Sequence, residues 1–442
     1  MKKGIALFLT VCMLAGVTGC GDSGQKKGEA EHPVYSASMA AQDYVKENPS
    51  AEENRPGNPG DALETEQMRD GINKFAFHMY EQAENGENMF FSPYSLCSAL
   101  AMLNVAADDV TEEELEQMLG ITDADEWNRE MKAYLEKKWS DDTYVLTANS
   151  LWMQKDYEWA ENVKTDVLQP LGYFYNSELY ETDFKGDPDT AKNGINGWVK
   201  ENTKGMIPEI INQVPDDTVL ALLNAVYFEG KWEIPFVEDD TYEQTFYGTS
   251  GEKQTEMMHM SGEHFRYAEY NGITGISIPY KDSSVVMKVY LPTVGTETPG
   301  EWFGSMSDEE RQALLDCLDT ASYEKISNLT LPKFTLEKTL DNLPALLQQM
   351  GMVSAFGEGA DFEKLGKDLY VTDVLHKAKV VVDEQGTKAA AVTAIMVETM
   401  AVFVEDERIE FVADRPFLFV YRTPRQGSCS LWDNSIRWSR QA

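Results

Sequence analysis

Basic residues are scarce in this chain: 38 Lys and Arg stand against 75 Asp and Glu, for a formal charge of −37. So acidic a surface repels phosphate and sulfate backbones, which argues against nucleic acid and heparin-like polyanions as partners and for solubility. Histidine is rarer still, with five residues and no pair at ligand spacing, so no metal or other cofactor is expected. There is no Gly-rich phosphate loop, no G-x-S-x-G elbow, no H-E-x-x-H and no recognisable nucleophile–base–acid set. The chain does not read as an enzyme. Cysteines number five; beyond Cys12 and Cys20 near the start, Cys97, Cys317 and Cys429 each stand in a different neighbourhood. Cys97 and Cys317 fall on apolar faces of expected helices and read as core thiols, so no disulfide is expected. Past the first twenty residues no apolar run is long enough to cross a bilayer as a helix.

What is present begins with an address. Met1-Lys2-Lys3 and the apolar run Gly4 to Val17 have the form of a signal peptide, too short to stay as a membrane span. Val17-Thr18-Gly19-Cys20 resembles a bacterial lipobox, with cleavage before Cys20 and lipid on its thiol. The expected location is therefore outside the cell, with the chain held to the outer face of the membrane by a lipid anchor. Residues 20–60 are rich in Gly, Glu, Ser, Asn and Pro and read as a flexible tether, in which Val34 to Val45 is apolar enough for a short helix. Residues 61–442 carry no second linker and no internal repeat. With 42% hydrophobic and 11% aromatic residues overall, they can fill one large mixed core.

Within that domain, helices are expected over Leu63 to Gln82, from Pro93 after the Ser92 cap, after Thr111, over Asp123 to Lys138 and over Ala191 to Thr203. Strands are expected over Leu146 to Met153, Val219 to Phe228 (continuous and buried on both faces), Met257 to Met260, Ile276 to Leu291 and Asn328 to Phe334. Asn328 to Phe334 is assigned to the main sheet. The pattern is α+β.

The stretch around which the domain is organised is Asp383-Glu384-Gln385-Gly386-Thr387-Lys388-Ala389-Ala390-Ala391-Val392-Thr393-Ala394. It follows a β-branched run, Val380 to Val382, and has no bulky side chain before Ile395. Propensity alone favours an Ala-rich helix or linker. With period two, Thr387, Ala389, Ala391, Thr393 and Ile395 form a set that is small or apolar throughout. Such a segment can stand exposed and also enter a sheet without burying charge.

E-x-G-T-x-A-A-A-x-T, lying ahead of Phe411 to Phe419, resembles the hinge of an inhibitory serpin. Asn88 to Leu96, Asn196 to Ile207, Asn224 to Trp232 with Pro235-Phe236, and Met352 to Phe362 resemble further serpin segments in the family's order. Met206 stands where the family often has Lys. The resemblance implies three β-sheets surrounded by eight to nine helices, with a reactive-centre loop over about 384–408. It implies a shutter built from Ser92, Ser95, Asn224 and His376, and a breach built from Trp232 and a Lys333–Glu384 ion pair. It further implies suicide inhibition of a serine protease, in which the cleaved hinge (Glu384, Gly386, Thr387, Ala389, Ala390, Ala391, Thr393) becomes a strand of the main sheet.

Sixteen residues beyond Glu384, the family spacing, the reactive bond falls at Met400–Ala401. Methionine there suits the apolar primary pocket of an elastase-, chymotrypsin- or subtilisin-like enzyme and argues against a trypsin-like one. Papain-like cysteine proteases stay open as a variant. Some serpins bind heparin through the helix corresponding to Asp123–Lys138, but here Arg129, Lys132, Lys137 and Lys138 are balanced by acids. A monomer is expected. The other classes are a non-inhibitory, substrate-type serpin, which a bulky or charged hinge would favour, and the binding lipoprotein of an importer, which would need two similar lobes.

The tail departs from the family. Where an apolar strand of the type V-L-F-M-G belongs, residues 429–435 read Cys-Ser-Leu-Trp-Asp-Asn-Ser. One permitted back-translation, TGC TCT TTA TGG GAC AAT TC, gives Val-Leu-Phe-Met-Gly-Gln-Phe when read one base out of frame. That suggests a frameshift after Ser428 and the loss of a final strand.

Overall fold

The structure, a computed structural model, describes residues 3–13, 33–51, 66–137, 140–283, 285–340, 342–387, 408–422 and 432–436. In chain order the strands of the main sheet are β1 (Lys3–Met13), β2 (Thr143–Gln154), β3 (Ser177–Thr182) and β4 (Thr218–Lys231). The second and third sheets take β5 (Thr241–Gly248), β6 (Gly251–Met260), β7 (His264–Tyr270), β8 (Ile273–Pro279), β9 (Val286–Pro292) and β10 (Tyr323–Pro332). The main sheet resumes with β11 (Phe334–Leu340), β12 (Leu369–Val382) and β13 (Gly386–Thr387), and the chain closes with β14 (Ile409–Val412), β15 (Phe417–Arg422) and β16 (Trp432–Ile436). The main-sheet order is β11-β12-β1-β4-β2-β3, with β13 also on β4. β10 joins the other two sheets, pairing with β7 at its start and with β6 and β14 towards its end.

Ten α-helices surround these sheets among the described residues. The first, α1 (Ala37–Glu47), lies in the segment expected to be a free tether. It packs on a helix at Gln169–Tyr175: Tyr44 stacks on Tyr173 at 4.6 Å, and Ala40 sits where a Cβ on Gly172 would be 2.2 Å away. Ahead of it, Val34 and Tyr35 pair with Leu179 of β3. Part of residues 20–60 is thus docked, because its apolar residues find a partner face on the domain.

α2 (Glu66–Ala83) and α3 (Pro93–Val105) follow. α3 is buried from Pro93 to Asn104, as befits a helix that is apolar on every side. Ser92 caps it, with the Ser95 N–H donating to Ser92 Oγ at 3.1 Å and Pro93 in the first turn. The next two, α4 (Asp109–Leu119) and α5 (Ala124–Leu135), cover the expected helical stretches. In α5, Lys132 is bonded to the Tyr173 carbonyl at 2.9 Å and to Glu136 at 2.9 Å.

Two expectations need correction. The strand expected at Asn328–Phe334 belongs to the second and third sheets as far as Pro332. The chain enters the main sheet only at Phe334, with Lys333 at the crossing. An alternating apolar run specifies a buried strand, not the sheet that receives it. The final strand expected to be lost is present as backbone, β16 pairing with β15 from Phe417↔Ile436 to Tyr421↔Trp432. Separately, and without bearing on whether the leader is later cleaved, Lys3–Met13 is a central strand, parallel to both β4 and β12. An apolar leader and a buried strand share one composition, so the run reads equally well as either.

Candidate functional site: hinge, breach and shutter

β12 alternates buried and half-buried residues along its length and delivers the chain to a tight turn at Asp383. There the Asp383 carboxylate accepts from the N–H groups of Gln385 (2.9 Å) and Gly386 (3.2 Å), an Asx turn that reverses the strand. Gly386 has φ +146, and a Cβ on it would lie 2.2 Å from the Gly230 carbonyl oxygen. Only glycine fits so close to β4 in this conformation. The reversed chain then pairs antiparallel with the end of β4, Gly386 opposite Lys231 and Thr387 opposite Gly230. Gly386→Val should expel this foothold and destabilise the chain by at least about 2 kcal/mol, read as a lower urea midpoint. An unchanged midpoint would mean that β13 is not docked.

The breach locks the turn in place. Trp232 is buried, stacks on Tyr280 at 4.4 Å and donates from Nε1 to the Asp383 carbonyl at 2.9 Å. The backbone N–H groups of Trp232 and Phe236 donate to the carbonyls of Gln385 and Glu384 at 2.9 and 2.8 Å. Lys333, at the crossing between sheets, meets Glu384 at 3.0 Å. Burial works to raise the Glu384 pKa, but bonds from its own backbone N–H and from Lys333 outweigh it and hold the carboxyl below its ordinary value. Asp383, without such a cation in contact, is pushed upward by burial. Thr387 is fully buried, its hydroxyl 2.5 Å from that of Tyr280 and 3.4 Å from that of Tyr421.

The shutter lies midway down the sheet, against the start of α3. Ser95 Oγ donates to Asn224 Oδ1 at 2.5 Å, Asn224 Nδ2 donates to Asn149 Oδ1 at 2.7 Å, and Asn149 Nδ2 reaches the Tyr175 carbonyl at 2.6 Å. Across the sheet the Ser92 N–H donates to His376 Nε2 at 3.1 Å. His376 is fully buried, burial holds its pKa down at about 3, and its Nδ1 has no partner among the described residues. The Asn–His pair implied by the family resemblance is not closed here. Leu9 of β1 stands opposite both Asn224 and His376, so the two side chains are separated by a whole strand.

Asn149 and Tyr280 belong to these networks and were not among the expected site residues. Asn149 sits in an ordinary strand pattern, and Tyr280 reads as a core aromatic until its hydroxyl is seen on Thr387. Cys97 and Cys317 are free thiols, the first buried and the second half-buried. The hinge positions Ala389, Ala390, Ala391 and Thr393, the bond Met400–Ala401, and Cys20 lie outside the described residues. Among the described residues no group of acids, His and Cys could hold a metal ion, and no helix is long and apolar enough to cross a membrane.

The family model described as "Serpin (serine protease inhibitor)" matches residues 70–431. This chain is a serpin. A serpin-like protein of Thermococcus kodakarensis is 34% identical over 355 residues, spanning 79% of this chain and 80% of that one. Intracellular coagulation inhibitor 1 of Tachypleus tridentatus is 32% identical, spanning 80% of this chain and 85% of that protein. The solved structure of the thermophilic serpin tengpin in its native state superposes with a TM-score of 0.74 at 27% identity, covering 85% of this chain and 95% of that one. Serpins have the mixed α+β, three-sheet architecture described above and are generally protease inhibitors rather than enzymes.

Proposed function

We propose that this serpin inhibits a serine protease by trapping it. The protease serine attacks the Met400 carbonyl, the amine of Ala401 leaves, and the acylated hinge inserts into the main sheet before water can release it. The observation that carries the proposal is the foothold of Gly386 and Thr387 on β4. Continued in the same antiparallel register, where each pair of residue numbers sums to 617, Thr393 falls opposite Asn224 and Thr399 opposite Thr218, the first residue of β4. Met400 is then the first residue past the strand. The family spacing from Glu384 and the length of β4 lead to the same bond. Small side chains at Ala389, Ala391 and Thr393 support insertion, since none demands a cavity or buries a charge.

The target is an extracellular protease with an apolar primary pocket, of elastase, chymotrypsin or subtilisin type. Cys20 carries the lipid that holds the inhibitor to the outer face of the membrane, and metabolic labelling with palmitate, lost in Cys20→Ser, is the check on that part.

The chain from residue 21 onward, incubated with each of these proteases and with trypsin, should give an SDS-stable complex and a released peptide beginning at Ala401. Clean cleavage without a complex would mean a substrate-type serpin instead.

A further inference from the structure

The gap that receives the hinge is already filled. β1 lies between β4 and β12, parallel to both, from Gly4↔Thr218 to Met13↔Phe228 on one side and from Lys3↔Leu369 to Cys12↔Lys379 on the other. β13 enters the same gap from the opposite end, with Thr387 at Gly230. Between Met13 at Phe228 and Thr387 at Gly230 only Glu229 is left. The next two hinge residues in register are Lys388 at Glu229 and Ala389 at Phe228, and the second of these places is taken by Met13. β1 and the inserting hinge therefore exclude one another after one further residue.

We infer that residues 3–13 form an internal blocking strand: while they remain attached, the gap between β4 and β12 binds them, and the chain cannot trap a protease. Removal or displacement of β1 frees the gap for the hinge. This rests on the trapping reading above.

Three features favour β1 as an effective occupant. Its backbone is paired on both edges over about ten residues, interrupted on each side only by a one-residue register shift next to Ile5. It belongs to the same chain, so it competes at a high effective concentration against any free peptide. It also accounts for the open shutter. With β1 in place, Asn224 and His376 sit two strand spacings apart, roughly 9–10 Å, and each turns to a separate partner. His376 Nδ1 is left without one among the described residues.

The gap thus selects an extended, apolar, N-terminal strand running parallel to β4, whereas the hinge enters antiparallel. Cleavage of the leader before Cys20 would then do two things at once, supplying the anchor and arming the inhibitor.

The test compares the full chain carrying Cys20→Ser, which keeps residues 1–19 attached, with the same chain carrying Leu9→Pro as well. Proline in a central strand removes a ladder donor and should evict β1. In the first protein, backbone amides of residues 4–12 should exchange at least a hundredfold more slowly than in urea. Its yield of SDS-stable complex with elastase should be at least tenfold below that of the Leu9→Pro protein. Equal complex yields in the two proteins, or unprotected amides over residues 4–12, would overturn the blocking strand. If neither protein, nor the chain from residue 21, forms a complex, the trapping reading has failed. Exchange at residues 4–12, which needs no variant and no protease, then decides occupancy of the gap by itself: slow exchange upholds it and fast exchange removes it.

Discussion

Thr387→Arg is expected to turn the inhibitor into a substrate. Thr387 is fully buried, and the hydroxyls of Tyr280 and Tyr421 surround its own. Both tyrosines have their pKa values pushed up by burial, so neither offers a phenolate to a cation. A guanidinium in this place would be an uncompensated buried charge, costing on the order of 3–5 kcal/mol. The chain has one way to avoid that cost, which is to leave the gap and give up its foothold on β4. Insertion then starts later, while hydrolysis of the acyl-enzyme proceeds at its own rate. The yield of SDS-stable complex should fall at least tenfold, with cleavage at Met400–Ala401 continuing. Thr387→Val has nearly the same volume and adds no charge, so its cost should be about 1–3 kcal/mol, from the lost contacts to the Tyr280 and Tyr421 hydroxyls, and its complex yield should stay near that of the parent. A Thr387→Arg protein that traps as well as the parent would remove Thr387 from the mechanism.

The second large effect is one of acid. Nε2 of His376 accepts a hydrogen bond from the Ser92 N–H, so it must be unprotonated, and burial holds the folded pKa at about 3 against an ordinary value of 6.5. A histidine held neutral in the fold takes up its proton more readily when unfolded. Its contribution is complete above pH 6.5 and is lost as pH falls from 6.5 towards 3, by roughly 5 kcal/mol across the window and about 2 kcal/mol by pH 5. Carboxylates with lowered values, Glu337 and Glu384 among them, act in the same direction but only as pH falls through their own lower range. Urea midpoints at pH 7.5 and pH 5.0 isolate the histidine. The parent should lose about 2 kcal/mol between them and His376→Gln far less, since an amide oxygen can accept from Ser92 without titrating. Equal losses in the two proteins would clear His376 of the effect.

How much of this was legible in the sequence depended on whether a signal was local. Ser92-Pro93 announces a capped helix and Val219–Phe228 a doubly buried strand, because each carries its physics within a few positions; Glu384-x-Gly386-Thr387 with its small residues reads as a hinge only through the family resemblance. Sheet membership is not local, and nothing in the run ending at Pro332 says which sheet receives it. The same holds for α1, whose apolar face means nothing until Tyr173 and Gly172 are seen beside it. β1 is the sharpest case. Ten apolar or small residues behind Lys3 satisfy an export signal and a central strand equally, and the place of the strand shows only once β4 and β12 are seen on either side of it. The tail shows the converse. Trp432–Ile436 lacks the apolar run expected of a core strand, yet the open edge of β15 offers a ladder that backbone alone can complete.

With the lipid proposed on Cys20, the docking of Val34, Tyr35 and α1 would limit how far the domain stands from the membrane. A chain hinged freely as far as Gly60 would let the domain wander up to about 140 Å from an acyl chain on Cys20, at the extended limit of 3.3–3.6 Å per residue. With Tyr35 fixed to β3, only fourteen residues, 21–34, lie between Cys20 and that contact. At the same extended limit that leaves a ceiling of about 50 Å. On the anchoring proposed for Cys20, the domain would sweep a thin layer just above the lipid headgroups, and the proteases within its reach would be those that come to the cell surface.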